Sequence, residues 1–184
     1  EPAAADTPDA LRAVFFGVST MLLTDGDTTL LIDGFFSRPG LLRVRAGKVA
    51  PNRARIEAAL RRFGIGSVDA LFVVHSHFDH ALDAPVVAEL TGARILGSES
   101  TRNIARGHGF PDSRFDVVEA GEPIRLGRFV LTPLPAVHSP GDLAPGQIDR
   151  PLAPESKAVD YRTGDCYTLH LEHDGRGGFP PRRG

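Results

Sequence analysis

Residues 72–83 read FVVHSHFDHALD, placing histidines at 75, 77 and 80 and an aspartate at 79 directly after an apolar run. Imidazole and carboxylate are the ligand types that suit zinc, and the same set also serves iron or manganese. His75 and His77 stand two apart at the end of a predicted strand. If the strand geometry persists through them, both rings project to one side and can grip a single ion. Asp79 and His80 follow where the chain turns toward a helix, and can face a neighbouring position. The alternative is a chance cluster of surface histidines, against which the strand immediately before it argues.

The elements that must position this cluster are readable on both sides of it. Residues 13–36 read as strands separated by an Asp25-Gly26-Asp27 turn, a strong hairpin signal. Residues 37–51 carry Pro and Gly with little period and read as loop. Asn52 then caps a predicted helix with Ile56, Ala59, Leu60 and Phe63 on one face and Gly64 as its stop. VDALFVV, ahead of the histidines, is an apolar run of the kind found in strands buried on both faces. Behind them, Leu82, Val86, Val87 and Leu90 mark a second helix, with Asp83 and Pro85 in its first turn and Gly92 after its end. A strand ARILG, a helix starting at Ser98 or Ser100, and Gly-punctuated strands over residues 115–139 complete the pattern.

HSHFDH resembles the His-x-His-x-Asp-His signature of the metallo-β-lactamase superfamily, and like that motif it follows an apolar strand. His138, in LPAVHS, stands at a strand end where that family places its next histidine. The resemblance implies an α+β fold, a metallo-β-lactamase-like αβ/βα sandwich. It implies a first metal on His75, His77 and His138 and a second touching Asp79 and His80. The opening VFFGVSTMLLTDGDTTLLIDGFF looks like the branch named for L-ascorbate-6-phosphate lactonase, with Asp33 near the end of the hairpin. Asp33 is then either a partner supporting a ligand histidine or a cap for the next loop. The likeness covers roughly residues 13–140.

The rest of the chain departs from the family. TGDC at 163–166 lies before the strand YTLHLEH, whereas the family's further acidic or cysteine ligand follows the return strand, so Asp165 and Cys166 are out of register. Asp142, in HSPGD, has no better claim as a ligand. His108 reads as a solvated loop residue, His170 as facing away from the core, and His173 as part of a turn. After Gly175 the chain reads RGGFPPRRG, which cannot sustain a central strand, and no later histidine follows. The expectation is a fold whose second half is incomplete, with apolar faces and sheet edges left uncovered, so that the chain is either marginally stable alone or completed by a second copy or another chain. As domains, residues 1–10 read as a flexible leader and 11–184 as one metallo-β-lactamase-like unit.

Composition bounds the function. A length of 184 residues suits one domain that buries roughly two-thirds of its unfolded surface. A net charge of −2 with scattered arginines argues against a nucleic-acid partner, and no window has the apolar length of a membrane span. One cysteine excludes an internal disulfide. The Ala/Pro-rich start fits a removed signal peptide or an arbitrary cut equally well, so a periplasmic or secreted location and a cytoplasmic one stay open. The leading expectation is a metal-dependent hydrolase of a small molecule (a lactone, ester, amide or phosphoester). It would use one or two zinc ions, or manganese or iron, with Asp79 as proton acceptor where it holds no metal. The alternative is a catalytically silent metal-binding or assembly domain, and iron oxidoreductase chemistry ranks last.

Overall fold

Strand β1 (Arg12–Gly17) turns at Val18 and Ser19 into β2 (Thr20–Thr24), which returns as β3 (Thr29–Ile32). The computed structural model describes residues 10–177, so the leader lies almost wholly outside the described residues. The β2–β3 turn forms where Asp25 Oδ1 accepts the backbone N–H groups of Asp27 and Thr28, and Gly26 takes φ +91° between them. Helices α1 (Leu41–Ala46) and α2 (Arg53–Arg62) lead to β4 (Ala70–Phe72). The α2 start is as expected, the Asn52 side chain accepting from Arg55 N. Helix α1 departs from the expected loop. Its Leu41 and Leu42 are exposed and its Gly40 cap offers no side chain, so neither an apolar period nor a cap betrayed it.

Beyond β4 come α3 (Phe78–Ala81), α4 (Ala84–Thr91), β5 (Arg94–Gly97), α5 (Glu99–Gly107) and β6 (Phe115–Val117). Gly92 ends α4 in the left-handed region, and Ser98 caps α5 by accepting from Thr101 N. The six strands form one sheet in sequence order, antiparallel through β3 and parallel from β3 to β6. Register aligns Val14, Leu22, Leu31, Leu71, Ile95 and Phe115 in a row across it. That row packs on the helices through Ile56, Leu60, Leu82, Val87 and Ile104. Leu71, wholly buried in mid-row, illustrates the energetics: truncation to alanine costs about 2–5 kcal/mol.

Strands β7 (Ile124–Leu126), β8 (Phe129–Pro135), β9 (Tyr167–His173) and β10 (Arg176–Gly177) make a second, antiparallel sheet in the order β10-β9-β8-β7. Its Phe129 and Leu131, with Leu169 and Leu171, meet Leu30, Ile32, Ala70, Phe72 and Leu96 of the first sheet. The layers are therefore helix, mixed sheet, antiparallel sheet, and β4 is buried on both faces as its composition predicted. The outer face of the second sheet is not the apolar surface expected of half a sandwich. In register it carries Arg125, Val130, Thr132, Leu134, Thr168, His170 and Glu172, a set in which polar residues outnumber the apolar Val130 and the exposed Leu134. A two-residue return does pair with β9 after the Asp174-Gly175 turn, and the GFPPRRG segment beyond it lies outside the described residues.

Residues 136–166, between β8 and β9, fold back over the first sheet. Val49 and Ser156 exchange backbone bonds of 2.8 and 3.3 Å. Asn103 Nδ2 donates to Ile148 O at 2.8 Å, and Ile148 N donates to Ser100 Oγ at 2.9 Å. The approach is so close that a Cβ on Gly107 would lie 1.6 Å from Leu152 O. Ile148 and Tyr161 of this connection enter the helix-side core, which gives it a fixed path.

Candidate metal centre

The parallel strands β3 and β4 end side by side, and the functional side chains start there. Asp33, the residue after β3, takes φ +61°, a conformation that aspartate tolerates better than most side chains. Its N–H donates to Phe72 O and its Oδ1 accepts from Val74 N at 2.9 Å, so it continues the strand pairing by one more rung. Strand β4 stops at Phe72, short of the histidines, so the alternation expected to align His75 with His77 does not run through them. A bend brings them together instead, and His77 caps α3, its carbonyl accepting from His80 N and Ala81 N.

His138, three residues past β8, closes the group. Ring centroids lie 4.9 Å apart for His75–His77, 5.1 Å for His75–His138 and 4.7 Å for His77–His138. One ligand atom from each lies within 4.8 Å of the others, so the three could hold one metal ion. Among the described residues no other trio of His, Cys, Asp or Glu converges so closely.

The hydrogen bonding shows which nitrogens are left over. His138 Nδ1 contacts Ser139 O at 2.9 Å; a carbonyl only accepts, so Nδ1 carries the proton and Nε2 keeps its lone pair. His80 Nδ1 sits 2.8 Å from Asp33 Oδ2 and 2.9 Å from Ser19 Oγ, which again directs the lone pair to Nε2. His75 Nε2 is buried and has no partner at all. An uncompensated buried nitrogen is costly, and a cation is one group that would satisfy it. This donor set fits zinc or a similar divalent ion.

Charge follows the same geometry. Burial, and then the rings of His80, His77 and His138, push the His75 pKa down to about 3. His75 is thus neutral and free to act as a ligand across the physiological range. Burial opposes the charged form of His80, but the bond to Asp33 and the charges of Asp33 and Asp79 outweigh it and raise its pKa. Asp79 Oδ2 lies 3.8 Å from His80 Nε2, and Asp79 is the more exposed of the two. Among the described residues these two have no third His, Cys, Asp or Glu to complete a second position.

His77 Nε2 faces Thr163 Oγ1 at 3.0 Å and Asp142 Oδ1 at 3.2 Å. The sequence signals neither residue in that role: Asp142 has only a weak claim as a ligand, and in TGDC the ligand types are Asp165 and Cys166. Thr163 and Gly164 are the members of that tetrapeptide at the histidine motif. A Cβ on Gly164 would lie 2.3 Å from Ser76 Oγ. Asp165 instead accepts from Gln147, while Cys166 is half-buried, its thiol pKa raised by burial and by Asp142 and Asp165. Ser19 also escaped notice; the hairpin that delivers it was legible, its reach to His80 was not.

The remaining histidines lie apart from this group. His108 corrects the solvated-loop reading: it caps the end of α5 and borders a small cleft with Pro85, Val86 and Arg114. Its Nε2 is buried without a partner, as in His75, and burial lowers its pKa, but among the described residues it joins no trio of His, Cys, Asp or Glu. His170 sits on the outer face of the second sheet, as expected. His173 corrects the turn assignment: it is the last residue of β9 and its Nε2 bonds Asp25 Oδ2 at 2.9 Å. Beside His138 a cleft of about 660 Å³ is lined by Ala136, Val137, Asp142, Thr163, Cys166 and Tyr167, among others, with no lysine or arginine among the described residues.

Comparison with known proteins gives the family of the chain. The chain is 35% identical over 88 residues to a metal-dependent hydrolase of Heliobacterium modesticaldum, covering 48% of this chain and 30% of that protein. It is 29% identical over 134 residues to another from Anaeromyxobacter sp. strain K, covering 71% and 43%. The chain thus spans less than half the length of these relatives. The structure of a metallo hydrolase from the archaeon Ignicoccus hospitalis superposes with a TM-score of 0.56 at 19% identity, covering 91% of this chain and 57% of that one, which speaks to the fold alone. The sequence profile of the metallo-β-lactamase superfamily matches residues 13–152, and the chain belongs to that superfamily.

Proposed function

We propose that this chain carries the metal site of a metal-dependent hydrolase, and that the ion is zinc. The observation that carries the reading is the convergence of His75, His77 and His138 with the His75 Nε2 buried and unpartnered. An ion held by these three would supply a Lewis acid that acidifies water and polarises a carbonyl or phosphoryl oxygen. The chain's own residues do the rest. Asp33, fixed at both oxygens, holds the His80 ring so that Nε2 faces Asp79. Asp79, half-buried in the first turn of α3 and 3.8 Å from His80 Nε2, would accept the proton of an attacking water. With two side chains at the second position, one well-held ion fits better than two.

Among the described residues the cleft beside His138 is lined by the carboxylates of Asp142 and Asp165 and by no lysine or arginine, which supports a neutral scissile group over a phosphoester. A lactone heads the candidates because of the opening hairpin's likeness to the lactonase branch, followed by esters and amides. The test is metal content per chain by elemental analysis of wild type and His77→Ala, followed by a lactone, ester, amide and phosphoester screen. About one zinc lost in the variant, with turnover above it, is the expected result. No metal in either protein overturns the reading. Stoichiometric metal without turnover would favour a metal-binding domain without catalysis, the reading to which the two-ligand second position lends support.

A further inference from the structure

The Nε2 edge of His77 is lined by oxygens. Its Nε2 faces Asp142 Oδ1 at 3.2 Å, Thr163 Oγ1 at 3.0 Å and the Ala144 carbonyl at 3.4 Å. A carbonyl and an ionised carboxylate only accept. The Thr163 hydroxyl has a single proton, and its neighbours Asp142 Oδ2 and Ala144 O can only accept it. Every neighbour of Nε2 therefore accepts, so Nε2 must bear the ring proton and the lone pair of neutral His77 lies on Nδ1.

These partners are themselves fixed. Asp142 Oδ1 also accepts from Ala144 N at 2.8 Å, so both its oxygens have donors. Thr163 is buried; its N–H donates to Ala144 O at 2.9 Å and its carbonyl accepts from Ser76 N at 2.9 Å, between the two motif histidines. Gly164 allows that approach, since any Cβ there would meet Ser76 Oγ and, at 2.8 Å, Ser100 Cβ. Nothing in the HSHFDH motif supplies this support; it comes from the connection between β8 and β9.

We propose that Asp142 and Thr163 are positioning residues for the metal site: together they fix the tautomer and orientation of His77 so that Nδ1 is presented to the ion. This rests on the metal-site reading above and adds to it the means by which one ligand is held. Partners of this kind typically contribute 10–100-fold to metal affinity by keeping a histidine in its binding tautomer.

Two readouts test it, one of them without metal. Long-range proton–nitrogen correlation spectra of the metal-free protein should show neutral His77 as the Nε2–H tautomer, giving way to a mixture in Asp142→Ala. Zinc affinity, by competition with a chromophoric chelator, should fall about 10–100-fold in Asp142→Ala. It should fall by less in Asp142→Asn, which keeps the shape, and in Thr163→Val, while Thr163→Ser, which keeps the hydroxyl, should bind like wild type. A role limited to holding the loop would leave the tautomer unchanged in Asp142→Asn and Asp142→Ala. Wild-type affinity in Asp142→Ala and Thr163→Val, or an Nδ1–H tautomer in the wild type, would overturn the proposal. Should the wild type take up no more zinc than His75→Ala, the metal reading falls, and the tautomer spectra still decide the pairing.

Discussion

Strand β3 has a histidine–carboxylate cluster at each end, and the two clusters are built to opposite purposes. Before β3, Asp25 accepts from Thr28 N, Asp27 N, Arg128 Nε and His173 Nε2, all within 3.1 Å. After it, Asp33 accepts from Val74 N and His80 Nδ1, but His75 Nε2 stays buried without a partner. Both ends desolvate polar groups. At the Asp25 end each cost is offset locally and the cluster clamps the two sheets together, Asp25 belonging to one and Arg128 and His173 to the other. At the Asp33 end one ligand atom from each of His75, His77 and His138 lies within 4.8 Å of the others, and the His75 nitrogen is left without a partner. Residue types alone do not separate the two; the count of satisfied partners does.

Several substitutions sharpen or break that contrast. The largest effect belongs to His75→Ala or His138→Ala: zinc affinity should fall at least 100-fold by chelator competition while metal-free thermal stability changes little, and undiminished zinc binding would erase the distinction. Asp25→Ala should do the reverse. It leaves Arg128 and His173 without their buried acceptor and should cost about 3–5 kcal/mol in urea unfolding, with zinc affinity intact. Equal stability in the variant would show that the clamp is not one.

Acid titration gives a third, intermediate effect. The depressed His75 pKa means that its contribution to metal-free stability is fully present above the ordinary histidine value of 6.5 and is lost as pH falls from there toward about 3. His80, raised, contributes fully below 6.5 and loses its contribution only as pH climbs, so it does not alter that window. Burial would raise the Asp25 pKa, yet the bonds from Thr28, His173 and Asp27 and the charge of Arg128 hold it well below the usual carboxylate range. Its share is present above 3.8 and is lost only at lower pH. Chemical denaturation across pH should therefore show weakening that begins at the histidine end, and His75→Gln should flatten the upper limb alone. The smallest effect expected is from Arg94→Ala, which removes an exposed pairing with Asp116 and should change stability by about 1 kcal/mol or less.

What could be read in advance follows the range of the interactions. Asn52, Ser98 and Gly92 act within a few residues of themselves, so their helices were legible, as was buried β4 from its unbroken apolar run. The HSHFDH cluster was legible because its members are neighbours in sequence. Asp33 was narrowed to two roles, and the one supporting a ligand-type histidine is where the structure puts its side chain. Asp142 and Thr163 were not legible as partners of His77, because residues 136–166 reach it by a path set by Asn103, Ser100 and Gly107 rather than by any local period. His173 looked like part of a turn because its partner, Asp25, lies at the far side of the sequence.

The placement of the trio also has a mechanical consequence. His75 and His77 leave the first sheet and His138 leaves the second, so an ion gripping all three would act as a removable rivet between layers otherwise joined at that end by side-chain packing and a few hydrogen bonds. At a hundredfold excess over its dissociation constant, such a rivet adds about 2.7 kcal/mol to the folded state. The Asp25 end stays fastened throughout. Stripping the ion should therefore loosen the sandwich as a hinged pair of plates opening from one edge, with amide exchange quickening near Ala136 and Val74 while the strands around Thr28 and His173 keep their protection.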